Sequence, residues 1–199
     1  MSRRAMTMEA TRAALLRAGR RQFAEQGYAA AELSRIVADA GVTTGAVYHH
    51  FGSKLGLFTA VAEDLEVEIL VAAASVAEDD PWLRLTRSFE VLIDVCATPA
   101  VQRITFVEAP QVIGPEAWRA IELRYAYGAC EAALAALKAA GIVGDYPPDL
   151  MARLLLALLR ESAAEVAKAP QDARVRARVS ALASRVLEAF RLNVATAEP

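Results

Sequence analysis

The chain has 199 residues, 55% of them hydrophobic, with ten Gly, eight Pro and a formal net charge of −2. That length admits one large domain or two small ones, and a composition rich in alanine and poor in Gly and Pro predicts an all-helical protein with a substantial core. It speaks against a membrane span and a secretory leader: the best apolar run, Leu154–Leu159, is closed by Arg153 and Arg160, and Glu9 and Arg12 interrupt any apolar core after Arg3 and Arg4. A cytoplasmic protein is expected.

The first helix is predicted over about residues 11–26, with Leu15, Leu16, Ala18, Phe23 and Ala24 inward and Arg12, Arg17, Arg20 and Arg21 outward, ended by Gly27. Leu33, Ile36, Val37 and Ala40 recur at helical spacing and give a second, short helix one apolar face. Gly41 ends it, Val42 fills the corner, and Thr43 stands where a side-chain oxygen caps the next helix. That helix starts with the small residues Thr44, Gly45 and Ala46 and carries Tyr48, His49, His50 and Lys54 around its far end. Two helices joined by a tight turn, the second small at its start and rich in donors at its end, suit the DNA major groove.

A connecting helix follows from Ser53 through Leu57, Phe58, Val61, Leu65, Ile69 and Leu70, and Glu78-Asp79-Asp80-Pro81 breaks the pattern. Further helices are expected over residues 81–97, 101–108, 115–140, 149–168 and 171–192. Thr98-Pro99, Ala109-Pro110, Gly141, the stretch from Asp145 to Pro148, and Ala169-Pro170 set the boundaries. The charge is uneven. Residues 1–60 hold eight bases (Arg3, Arg4, Arg12, Arg17, Arg20, Arg21, Arg35, Lys54) against four acids (Glu9, Glu25, Glu32, Asp39), and the rest of the chain is acidic. A basic module joined to an acidic partner domain would give this asymmetry, as would ordinary surface scatter.

The run from Leu15 to Ala24, Gly27-Tyr28, Ile36, Ala40-Gly41-Val42, Gly45, Val47-Tyr48, His50-Phe51 and Ser53-Lys54 resembles the TetR family of bacterial transcriptional regulators. The resemblance implies an all-α fold: an N-terminal three-helix helix–turn–helix DNA-binding domain over residues 9–69 (motif about 32–51), then a larger ligand-binding and dimerisation domain over 70–199. It implies a sequence-specific DNA-binding regulator, a repressor released from its operator by a small-molecule effector. The alternative is a TetR-like ligand-binding or scaffold protein that no longer binds DNA. By the resemblance Thr44 and Ala46, with Thr43 and Gly45 beside them, face base edges. Tyr48 and His49 contact phosphates, His50 either does so or packs beside Phe51, Lys54 reaches a phosphate, and Ser34 or Arg35 helps from the supporting helix. Arg3 and Arg4 are candidates for a minor-groove arm. Two departures from the family pattern stand out: Ala29-Ala30-Ala31 brings no capping oxygen, and Gly56 replaces the usual Glu of a capping box.

The partners implied are a duplex operator with an inverted repeat, a second copy of the chain, and a small apolar or amphipathic effector. For the effector pocket the candidates are Trp82, Phe89, Phe106, Trp118, Tyr125 and Tyr127, any of which is equally at home as plain core, and Glu108, with Arg103 or Arg119 as its partner. For the dimer, Val175, Val179, Leu182, Val186 and Phe190 form one stripe on the last helix, and Leu154 and Leu158 lie on the preceding one. No cofactor or metal is expected, because the only histidines are adjacent and belong to the recognition helix. Cys96 and Cys130 sit in apolar helical patterns and read as inert thiols. Nothing assembles a nucleophile–base pair, so catalysis is not expected.

Overall fold

The computed structural model describes residues 3–192, with side chains from residue 7 onward. The described residues form α-helices and one π-helix, and β pairing among them is confined to an isolated bridge between Val143 and Arg191. None of these helices is long and apolar enough to cross a membrane. The side chains of Arg3 and Arg4, proposed for a minor-groove arm, lie outside the described part. The chain forms two compact units: residues 1–66 with 99–121, and residues 67–98 with 122–199.

The first unit holds α1 (Arg3–Ala30), α2 (Leu33–Ala40), α3 (Thr44–Phe51), the start of α4 (Lys54–Ala74), the π-helix π1 (Val101–Glu108), α6 (Ala109–Val112) and most of α7 (Pro115–Arg124). Its core is the apolar set that the periodicity picks out: Leu15, Phe23, Ile36, Val47, Leu57, Phe58 and Leu65 are fully buried. Phe23 and Tyr28 each meet the Phe58 ring edge-on, with centroids 5.1 and 5.0 Å apart, a favoured aromatic geometry. α1 and α2 are tied at the surface by Asp39, which accepts from Arg21 at 2.7 Å and Gln22 at 3.1 Å. Those two hydrogen bonds hold the Asp39 carboxyl below its ordinary range.

Gly27 ends the long first part of α1, and a single further turn follows it. Its φ of 80° and ψ of 165° break the helix, which resumes for one turn and closes with Ala31 N–H on the Gly27 carbonyl at 3.0 Å. Residues 101–112 are continuous helix, the π-helix passing into α6 at Ala109, and Pro110 at its start brings no N–H to the ladder.

The second unit holds the rest of α4, α5 (Pro81–Cys96), α8 (Ala126–Ala139), α9 (Pro148–Lys168) and α10 (Ala173–Glu188), with α9 packed against α5, α8 and α10. Asp80 caps α5 by accepting from the Trp82 and Leu83 amides. Arg176 joins α10 to α5 through Asp94 at 2.6 Å and Glu90 at 3.0 Å. The single helix expected over residues 115–140 is two, broken at Tyr125 (φ −121°, ψ −122°). Past the break the backbone runs close, so that a Cβ on Gly128 would overlap the Leu123 carbonyl oxygen. α10 stops at Glu188, not at 192, because Gly144 donates to the Phe190 carbonyl at 3.2 Å and Leu192 donates to that of Ile142 at 2.9 Å.

Phe58 anchors both aromatic contacts of the first unit from a fully buried position. Phe58→Ala is expected to cost about 3–5 kcal/mol, read as a lowered denaturant midpoint in equilibrium unfolding.

Candidate nucleic-acid interface and ligand cavity

α2, the turn at residues 41–43 and α3 form the helix–turn–helix. Ile36, Val37 and Val47 point into the core and fix the angle between the helices. The opposite face is open: Ser34, Arg35, Thr43, Thr44, Gly45, Tyr48 and His49 are exposed and Ala46 is half-buried. Tyr48 keeps 57% of its surface, and among the described residues no aromatic ring packs on it. Thr43 occupies the N-cap position of α3, but its hydroxyl does not cap; the first turn is closed by its carbonyl, which accepts from Ala46 N–H at 3.0 Å. The hydroxyls of Thr43 and Thr44 are thus exposed at the start of the recognition helix.

Glu32 is the N-cap residue of α2, and its side chain does not cap either. It accepts from Ser34 Oγ at 3.3 Å and faces Arg35 Nε at 3.7 Å, so Arg35 offsets the carboxylate next to the candidate phosphate contacts. Ser53 Oγ accepts from Gly56 N–H at 2.9 Å and caps α4 unaided. Any Cβ at position 56 would overlap the Phe51 carbonyl oxygen, which accounts for glycine in place of a capping-box Glu.

At the far end of α3, His50 is half-buried, its ring 5.1 Å from that of His49 and 6.1 Å from that of Phe51. Burial, then the charges of His49 and Arg12, push its pKa below the ordinary histidine value. Arg12 lies over the Phe51 ring at 5.5 Å. α1 thus brings a guanidinium to the end of the recognition helix, a contact with no signal in the local sequence. Lys54 Nζ donates to the Ala29 carbonyl at 3.3 Å and stands 4.7 Å over the Tyr28 ring, which aims the ammonium and leaves two of its donors for other acceptors.

Tyr28 is itself held from π1. Its amide donates to Glu108 Oε2 at 2.7 Å, while Arg103 donates to the carbonyls of Ala24 at 3.1 Å and Glu25 at 2.7 Å and pairs with Glu108 at 3.4 Å. These bonds serve backbone groups that the break at Gly27 leaves without helical partners. Of Arg103 and Arg119, Arg103 is therefore the residue paired with Glu108 here.

In the second unit a cavity of about 330 Å³ lies among the end of α4, α5, α8 and α9. Its walls are Ile69, Leu70, Leu85, Phe89, Leu92, Leu155 and Leu159, and its space comes from alanines: Ala73, Ala74, Ala126, Ala129, Ala133 and Ala136. Polar atoms are few. Arg84 stands at the lip with Nε donating to the Glu78 carbonyl at 2.7 Å, Ser88 Oγ donates to the Ala73 carbonyl at 3.0 Å, and Cys130 offers a thiol. Phe89 is the one candidate pocket residue that lines this cavity. Trp82 is buried with Nε1 donating to Glu188 at 3.0 Å, and Tyr125 lies at the start of α8 under Arg124. Tyr127 is buried and donates to the Asp149 carbonyl at 3.0 Å. Phe106, Glu108 and Trp118 belong to the first unit. Among the described residues no three His, Cys, Asp or Glu side chains gather as metal ligands.

The face proposed for dimerisation is open in the single chain. Leu154 keeps 51% of its surface, Leu182 64% and Val186 37%, while Leu158, Val175, Val179 and Phe190 are half-buried. The inward residues of α10 are Ala183 and Leu187, between the steps of the outer stripe.

Family models describe both parts of the chain. Residues 15–61 match bacterial regulatory proteins of the tetR family, and residues 82–190 match the tetracyclin repressor-like C-terminal domain. The HTH-type transcriptional repressor BepR of Brucella suis biovar 1 (strain 1330) is 34% identical over 99 residues, 48% of this chain and 47% of that protein. The match thus spans about half of BepR. The transposon Tn10 TetC protein of Escherichia coli is 29% identical over 150 residues, 74% of this chain and 75% of TetC. A solved TetR-family transcriptional regulator from Pectobacterium atrosepticum superposes with a TM-score of 0.70 at 30% identity, covering 97% of this chain and 99% of that one.

Burial pushes the Cys130 thiol up to about 12, with Glu131 adding to the shift. At pH 8 its thiolate fraction is then on the order of 10⁻⁴. In the folded protein Cys130 is expected to react with a thiol reagent far more slowly than a free cysteine, and at the ordinary rate once unfolded; comparable rates in both states would show the thiol open to solvent.

Proposed function

The chain belongs to the TetR family of bacterial regulatory proteins, and from that premise we propose that it is a sequence-specific DNA-binding transcriptional regulator, a repressor released from its operator by a small-molecule effector. The observation that carries the reading is the exposed face of the helix–turn–helix, where Thr43, Thr44, Gly45, Tyr48 and His49 stand clear of a core closed behind them by Ile36, Val37 and Val47. In this reading Thr44 and Ala46, flanked by Thr43 and Gly45, meet base edges, where a threonine hydroxyl donates or accepts and its methyl touches thymine. Tyr48, His49, His50 and Lys54 take phosphates, with Ser34 and Arg35 contributing from α2. Residues 9–69 act as the DNA-binding domain and residues 70–199 as the effector-binding and dimerisation domain.

Two further observations support the regulatory half of the proposal. The apolar cavity around Phe89 has a volume near the lower end of the roughly 300–1,000 Å³ of small-molecule sites and suits a small apolar or amphipathic effector. The open stripe of Leu154, Leu158, Val175, Val179, Leu182, Val186 and Phe190 fits a second copy of the same face, so that two recognition helices read an inverted repeat.

Selection of duplexes from a random pool by the purified protein tests the reading: an enriched inverted repeat is expected, and no enrichment by folded dimer would sink it. On the selected duplex, Tyr48→Ala should weaken binding on all sequences and lower the salt slope by about one, whereas Thr44→Ala should change base preference. Leu182→Glu should convert the dimer to monomer in sedimentation, since it places a charge on the open stripe. A dimer of unchanged mass would move the interface elsewhere.

A further inference from the structure

The π-helix poses a question that neither the cavity nor the DNA-reading face answers. π-Helical register is rare and mostly confined to single turns, yet here it runs from Val101 to Glu108 and ends with Ala109 N–H on the Ile104 carbonyl. Within it Thr105 is 2% exposed and its Oγ1 is buried without a hydrogen-bond partner, a costly condition for a hydroxyl. In α register that hydroxyl would have the carbonyl four residues back, at Val101, within reach. A contact that the segment makes elsewhere must favour the π form.

The Arg103/Glu108 pair meets that requirement. Residues five apart share a face in a π-helix, where hydrogen bonds run from i to i+5, but lie about 140° apart around an α-helix. The π register brings both side chains to the break at Gly27 on one face. There Arg103 takes the Ala24 and Glu25 carbonyls and Glu108 takes the Tyr28 amide. The site is fitted to them, since a Cβ at position 27 would lie 2.5 Å from Glu108 Oε1. Tyr28 in turn meets Phe58 edge-on and carries Lys54 over its ring.

We propose that Arg103 and Glu108 are positioning residues for DNA reading: in π register they clamp the break in α1 and so hold the Tyr28–Lys54 platform, and a return of residues 101–108 to α register releases it. The pair touches no DNA and acts through Tyr28. π1 is then the two-state element whose register sets the readiness of the head, with the orphaned Thr105 hydroxyl favouring the released state. This rests on the DNA-binding reading above for its consequence, though not for its geometry.

The test uses the full-length dimer, the selected duplex, and hydrogen exchange at the Tyr28 amide. Glu108→Ala is expected to speed that exchange at least tenfold, to weaken duplex binding by a similar factor, and to lower the salt slope by about one as Lys54 loses its aim. Glu108→Gln keeps an acceptor for the amide and should restore most of the protection. Thr105→Val has the same shape without the hydroxyl and should shift exchange the opposite way, slowing it, which a merely structural role for Glu108 would not predict. Wild-type exchange and wild-type salt slope in folded Glu108→Ala would overturn the proposal. If that variant does not fold, Thr105→Val decides, and unchanged or faster Tyr28 exchange rejects the two-state register. Should the wild type select no duplex, the DNA-binding reading fails while the exchange measurements still judge the clamp.

Discussion

A helix that breaks must find partners for the backbone groups it strands, and in this chain those partners come from about eighty residues away. At Gly27 the carbonyls of Ala24 and Glu25 and the amide of Tyr28 are satisfied by Arg103 and Glu108. Leaving such groups unpaired and shielded from water costs about 1–3 kcal/mol each, so the one-turn continuation of α1 depends on π1 being where it is. That turn leads directly into α2, and its Tyr28 packs on Phe58 at the centre of the head's core. Residues 99–121 accordingly cluster with the first 66 residues and not with the helices that flank them in sequence. The helix–turn–helix is built from consecutive residues, but its support is not.

The second unit uses a different device. Its cavity exists because six alanines stand where larger side chains would otherwise fill the space between α4, α5, α8 and α9. Close packing makes such a volume expensive in an ordinary core, so one that persists among small residues is a reasonable place for a ligand to supply the missing contacts. With Ser88 committed to the Ala73 carbonyl and the Cys130 thiol held protonated, most of the wall can offer only dispersion and shape. For a ligand in this cavity, discrimination by directed hydrogen bonds would fall chiefly to Arg84 at the lip.

The difference between these devices decides what could be read from the chain itself. Residues 31–54 were legible because helix spacing, a turn glycine and small residues at the recognition helix all act locally. The break at Gly27 was legible as a helix stop, but the helical turn beyond it was not, because its bonds come from Arg103 and Glu108. An Arg and a Glu five apart carry no message unless the π register is known, and periodicity at 3.6 residues cannot announce it. The pocket is a similar case. Aromatic residues are conspicuous, but a void is made by what is small, and Ala126, Ala129, Ala133 and Ala136 read only as good helix formers. Tyr125 was likewise hidden: no Pro or Gly stands at the break, and the close approach at Gly128 emerges only in three dimensions.

The composition of α3 places a further demand on the proposed regulator. Bidentate arginine–guanine contacts are the commonest source of direct base discrimination, and the start of this recognition helix offers Thr44, Gly45 and Ala46 instead. In the proposed reading such a surface approaches bases closely but distinguishes them weakly, whereas Tyr48, His49 and Lys54 would bind a backbone common to every sequence. Selectivity must then come from requiring two heads at a fixed separation on a duplex whose shape accepts both. In the proposed dimer that separation would be set by the α9–α10 stripe and by the internal order of each head. On this reading the apolar face at Leu154 and Leu182 and the proposed clamp at Gly27 would matter to specificity as much as the side chains in the groove, and a small change in either would be worth more than in a protein that reads its bases with arginine.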